Sequence, residues 1–378
     1  MATTSQEKSS GYCMLYHGTR DDVAELVCTK TQLPSALDDG EVLGKVLLAT
    51  ICGSDLHTLS GARQEAIPSV LGHEAVVEIV QTSNAQFTVG QRVTFSVADT
   101  CGSCRFCTGS LAQKCPSLKK YGHMQYTESD QLNGCYASHI HIKKGTALFP
   151  IPANLPDAVV APANCALATM VNAVEKIPQQ VQGIEAHPRT ALVQGAGLLG
   201  VYGVALLKDR GFATVYCSDV HQGRLETVQK FGATPILSGA GNSSIEPGSV
   251  DAVIEVCGHK SVLQEGFRCL RPGGHYVLVG LVHPDSALPI TAEDIIRKCA
   301  TITGVHNYNY DHLGKAVKFL SDTASRYPYD LLVSKPYKLT ELESAIEAAK
   351  TQTFHRIALQ PCSLNIASHT SCTHISRL

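Results

Sequence analysis

No run in this 378-residue sequence is long and apolar enough to span a bilayer: the apolar segments are strand-sized, short of the roughly 20 residues a spanning helix needs. Neither sign of charge dominates. Lys and Arg number 31 against 33 Asp and Glu, a net charge of −2, and no basic stripe stands out. Membrane and nucleic acid are therefore not expected partners. The N-terminal stretch MATTSQEKSSGYC has no apolar h-region, so secretion is not expected. Internal repeats and low-complexity linkers are also missing. Disulfides are not expected although cysteines number 15, because the count is odd and disulfide frameworks suit small secreted chains. Free thiols and metal thiolates in a reducing compartment fit better. The last three residues, Ser376-Arg377-Leu378, are close to the S-K-L peroxisomal address. The expected location is the cytoplasm, or the peroxisome in a eukaryote.

What is present divides in two. From about Thr190, short β-branched runs (ALVQG, TVYCSD, VDAVIEVCG, HYVLVGLV) alternate with helical patterns such as LLGVYGVALLKDRG and QGRLETVQKFG. That alternation indicates βαβ units and a parallel sheet. Before about Leu155 the pattern changes to short strands (VLGKVLLAT, AVVEIV, RVTFSV), many glycines and a cysteine cluster, which fits an antiparallel-rich domain. The stretch ATITGVH is expected to close the parallel sheet, after which SKPYKLTELESAIEAAK and RIALQP return to the first domain.

Gly195-Ala-Gly197-Leu-Leu-Gly200 follows the strand ALVQ and opens a helix, and Asp219 ends the next strand. The first glycine makes the tight turn, the second admits pyrophosphate to the backbone, and the third lets helix and strand pack closely. Asp219 can accept hydrogen bonds from ribose hydroxyls and would repel a 2′-phosphate, which favours NAD over NADP. Arg224 is placed to reach the ribose or pyrophosphate.

Cys101, Cys104, Cys107 and Cys115 lie within CGSCRFCTGSLAQKC. Four thiolates complete a tetrahedral zinc and leave no position for substrate, so this site reads as structural. An iron–sulfur cluster fits less well, because seven residues precede the last cysteine where the bacterial run has three. Chemistry needs an open position. Cys52 in ATICGSDLH, His73 in SVLGHEAVV and Cys165 in APANCALATM supply two thiolates and an imidazole for a second zinc.

Together GHE, CGSDLH, the four-cysteine lobe and the G-x-G-x-x-G motif resemble the zinc-dependent medium-chain alcohol dehydrogenase family over nearly the full length. The resemblance implies an α/β chain with a GroES-like, β-rich catalytic domain (residues 1–160 and 304–378, zinc lobe about 98–118). A doubly wound, parallel-sheet Rossmann domain (161–303) interrupts it. It implies two zinc ions per chain, NAD(H), a small-molecule alcohol or carbonyl substrate, and a homodimer or homotetramer through the Rossmann domains. By the same matching, Ser54 bonds the substrate hydroxyl and starts a proton relay to His57, and Asp55 supports His73. Glu74 lies beneath the zinc, and Arg356 contacts the pyrophosphate.

GSLAQKC, KKYGH and PANCALAT further resemble a bacterial subgroup of phosphonate-catabolism-associated alcohol dehydrogenases. Arg63 and Val97 match pocket positions, and a guanidinium at 63 would suit an anionic or strongly polar substrate. Other uses of the same frame are a lyase, a C=C reductase or a non-catalytic dinucleotide-binding protein.

Overall fold

Alternation of apolar and polar residues in the N-terminal third produces antiparallel pairing. The structure, a computed structural model, describes residues 10–21, 23–179, 187–239 and 245–362; Ser376-Arg377-Leu378 lies outside them. The chain divides into two units, Met1–Cys165 with Val333–Leu378, and Ala166–Leu332.

In the first unit the strand Val42–Ile51 is the hub. It pairs antiparallel with Glu74–Thr82, His139–Ile142 and Ile357–Gln360. The last of these brings the C-terminal segment back to the sheet, placing Ile357 opposite Ile51. A hairpin, Ser10–Arg20 with Val23–Gln32, forms a second sheet with Ser69–Val70. The core between these layers holds Val46, Val77, Ile79, Phe95, Tyr136 and Ile140, all buried.

Among the described residues the second unit holds one sheet of six strands, every neighbouring pair parallel. From edge to edge the order is Thr234–Leu237, Thr214–Asp219, Thr190–Gln194, Val250–Glu255, Leu270–Leu278 and Thr301–Gly304. In chain order that is third, second, first, fourth, fifth, sixth, the doubly wound arrangement expected of a dinucleotide fold. Thr301–Gly304 closes the sheet, as the sequence pattern suggests.

The return to the first unit falls at Val333 rather than at residue 304. The helix Tyr310–Thr323 explains the difference. Its buried residues Leu313, Ala316, Val317 and Leu320 lie on the face that packs on the helix Ala166–Glu175 of the same unit. Phe231 stacks on Tyr327 at 5.5 Å, tying residues up to Tyr329 to that core.

Gly200 illustrates how tightly helix and sheet meet here: a Cβ would lie 1.8 Å from the Gly195 carbonyl oxygen, whereas one at Gly197 would meet nothing. Gly200→Ala should therefore destabilise the protein by about 1–3 kcal/mol, seen as a lowered thermal midpoint, with Gly197→Ala close to wild type. Equal midpoints for the two variants would contradict this packing.

Candidate active site

The register of two strands begins the site. Thr50 stands opposite Glu74, so the chain just beyond each position, at Cys52 and His73, converges at one end of the sheet. Cys52 caps the helix Gly53–Leu59, and Cys165 ends the turn Ala161–Asn164. Asn164 fixes that turn, its Nδ2 donating to the carbonyls of His73 at 2.9 Å and Phe95 at 3.0 Å. As a result, ligand atoms of Cys52, His73, Glu74 and Cys165 all lie within 4.8 Å of one another.

This group fits a metal. Both ring nitrogens of His73 are buried without a hydrogen-bond partner, although Nδ1 lies 3.4 Å from Asp55 Oδ1. The other Asp55 oxygen accepts from the Cys52 amide at 2.8 Å and the Tyr136 hydroxyl at 3.0 Å. Asp55 is thereby held as a support for His73. A hydrogen bond from Cys165, together with Arg356 and His73, pulls the Cys52 thiol well down despite its burial. Burial alone would lower the pKa of His73, but Asp55 and Cys52 lift it to about 10. The pocket thus calls for a positive charge, and zinc with two thiolates and an imidazole meets that demand.

Arg356 has a role at the metal pocket that the sequence expectation did not include. Its Nε and Nη2 donate to the two oxygens of Glu74 at 2.8 and 2.9 Å, and Nη1 donates to the His355 carbonyl at 3.0 Å. Nη2 also lies 3.4 Å from Cys52 Sγ. Within the first unit this side chain is thus engaged at every nitrogen, is 8% exposed and forms part of the metal pocket. Thr50 adds a 2.6 Å bond to Glu74. Burial pushes the Glu74 carboxyl up to about 7, against the opposing pull of Arg356.

The four-cysteine lobe fits zinc by its own dimensions. Sγ separations are 3.5 Å for Cys104–Cys107 and Cys101–Cys115, and 3.9 Å for Cys101–Cys107. The edges of a tetrahedron with zinc–sulfur bonds of about 2.3 Å measure roughly 3.8 Å, so the spacing suits four ligands of one ion and is far too wide for disulfides. Amides of Ser103 and Cys104 draw the Cys101 thiol down to about 6.

In the second unit Gly195 takes φ +111°, Gly197 caps the helix Leu198–Asp209, and a side chain at 197 would project into open space. A helix start beside an open cradle at Gly197 fits a pyrophosphate. Asp219 faces the same loop, accepting from Ala196 N–H at 2.7 Å and His221 N–H at 2.9 Å. Arg224 lies 3.9 Å from the Asp219 carboxylate.

The remaining expected residues are distributed less tightly. Ser54 is half-buried and His57 exposed, three apart on one helix and so on one face. Val97 is buried. Arg63 pairs with Glu65 at 2.7 Å, and this meets the charge that an anionic substrate would need. Asn164, Tyr136 and the Glu65–His123 pair have no assigned role in the sequence reading. Only Asn164 leaves a trace there, as a polar residue inside the apolar run APANCALATM.

Residues 38–153 match the alcohol dehydrogenase GroES-like domain, and residues 166–358 match the glucose dehydrogenase C-terminus. The chain is 28% identical to the sorbitol dehydrogenase of Bacillus subtilis over 336 residues, 83% of this chain and 87% of that protein. An alcohol dehydrogenase structure from Thermotoga maritima superposes with a TM-score of 0.85 at 26% identity, covering 94% of this chain and all of the other. A zinc-binding dehydrogenase from Sinorhizobium meliloti, bound to NADP, superposes with a TM-score of 0.79 at 23% identity over 94% of this chain and all of its own.

Arg356→Leu would leave the Glu74 carboxylate buried and unpaired. Urea denaturation without dinucleotide should show a loss of about 3–5 kcal/mol, and Glu74→Gln,Arg356→Leu together should cost less. Unchanged stability would contradict the structural pairing with Glu74, and weaker NAD binding in Arg356→Leu would support the expected pyrophosphate contact.

Proposed function

The chain belongs to the zinc-dependent medium-chain dehydrogenase/reductase family of alcohol dehydrogenases and is a dinucleotide-dependent alcohol/carbonyl oxidoreductase; from that premise we propose that it uses NAD(H), holds two zinc ions per chain and acts on an uncharged, hydroxylated substrate. The observation that carries this reading is the buried group of Cys52, His73, Glu74 and Cys165, whose ligand atoms lie within 4.8 Å of one another.

When bound, zinc supplies the Lewis acidity that makes an alcohol proton acidic, and the nicotinamide supplies the hydride acceptor. Ser54 would accept that proton while donating its own hydroxyl proton onward through the cofactor ribose to His57, which is exposed on the same helix face and releases it to solvent. Asp55 orients His73. Glu74, fixed between Thr50 and Arg356, balances charge at the pocket floor.

Asp219 supports NAD over NADP, because a carboxylate at the end of Thr214–Asp219 repels a 2′-phosphate. The pairing of Arg63 with Glu65 disfavours the anionic substrate, and the sorbitol dehydrogenase relative points the same way. A homodimer or homotetramer through the second unit is supported by its edge strand Thr301–Gly304 and by exposed Ile296 and Val282.

Metal analysis should find two zinc ions per chain in the wild type and one in Cys52→Ala, with turnover reduced roughly a thousandfold or more. Wild-type turnover in a Cys52→Ala protein lacking the second zinc would refute the assignment. Asp219→Ser should move the NAD/NADP preference toward NADP by roughly tenfold, and an unmoved ratio would remove Asp219 as the selector.

A further inference from the structure

His123 lies beside the metal ligands yet takes no part in the chemistry above. Gly122, at φ +75°, is pressed against Gly72: a Cβ there would come within 2.5 Å of the Gly72 carbonyl oxygen. That close approach brings the next residues of both segments together. The rings of His73 and His123 are 5.2 Å apart, centroid to centroid, and tilted by 33°.

The His123 ring has a defined orientation. Its Nδ1 is 2.7 Å from Glu65 Oε1, and a carboxylate can only accept, so Nδ1 carries the proton. Arg63 pairs with that same Glu65 oxygen at 2.7 Å, keeping the carboxylate ionised and in place. The other nitrogen of a neutral imidazole is then an acceptor. That nitrogen, Nε2, is buried and without a hydrogen-bond partner, on a side chain 6% exposed. Buried acceptors rarely stay unmet in folded proteins, so one beside a reacting centre marks a place for a ligand's donor. With Arg63 and Glu65 cancelling each other's charge, that donor is a neutral hydroxyl.

We propose that His123 Nε2 accepts the O–H of a second substrate hydroxyl, next to the one that reacts, so that vicinal diols and longer polyols are the preferred substrates. This rests on the dehydrogenase reading above and adds the residue that selects among alcohols. Arg63 then acts through Glu65 as a positioning residue rather than as an anion receptor.

The test compares kcat/KM for propane-1,2-diol and propan-2-ol, followed by NADH formation, in wild type, His123→Leu, His123→Gln and Glu65→Gln. Zinc content and thermal midpoint are measured for each protein. The diol-to-monoalcohol ratio should fall roughly 10- to 100-fold in His123→Leu, where the acceptor is gone. His123→Gln, whose amide oxygen can accept, should recover part of the ratio. Glu65→Gln keeps the ring but frees its tautomer, and should lower the ratio even if the leucine variant folds poorly. An unchanged ratio in the folded, zinc-loaded variants overturns the proposal. No NADH from any alcohol in zinc-loaded wild type would overturn the dehydrogenase reading itself, and this role with it.

Discussion

The first unit is organised around buried negative charge that the polypeptide neutralises only in part. Cys52, Cys165, Asp55 and Glu74 stand around one imidazole, and the Arg356 guanidinium reaches Cys52 and Glu74. Burying so many acidic groups is costly unless each is paired, hydrogen-bonded or bound to a cation. The surrounding structure meets that condition group by group. Asp55 receives an amide and a phenol, Glu74 a guanidinium and a hydroxyl, and His73 has Nδ1 near Asp55 while neither of its ring nitrogens makes a hydrogen bond. A divalent ion completes the set, and the hub strand Val42–Ile51 exists in a form that serves it, since its pairing brings Cys52 and His73 together.

The second unit solves the opposite problem, holding an anion with almost no formal charge. The helix start at Gly197 presents amides to open space, and Gly200 lets the helix approach the sheet closely enough to aim them. Asp219 anchors the loop through Ala196 while leaving lone pairs for ribose hydroxyls. One carboxylate therefore shapes the loop and, on the proposed reading, selects NAD.

Much of this was legible in the sequence because the informative residues are chemically scarce and locally spaced. Cysteines three apart, and an acidic residue one strand beyond a glycine turn, announce their roles without knowledge of distant contacts. Arg356 was not legible in that way. It meets Glu74 across 282 positions, and only the strand Ile357–Gln360 pairing with the hub reveals the encounter. The return at Val333 was hidden for a related reason: Tyr310–Thr323 is amphipathic and could pack in either unit, and the burial of its face against Ala166–Glu175 decides. Arg63 reads as an available cation until Glu65, two residues on, is seen to hold it. His123 looks ordinary in KKYGH because its neighbour His73 is fifty residues away.

Anomalous X-ray diffraction at the zinc absorption edge tests the central claim most directly. Two peaks are predicted, one enclosed by Cys101, Cys104, Cys107 and Cys115, the other bounded by Cys52, His73 and Cys165. A single peak in the cysteine lobe, with protein as purified and never exposed to chelator, would contradict the account, because the buried charge of the first unit would then lack the cation it is arranged to hold.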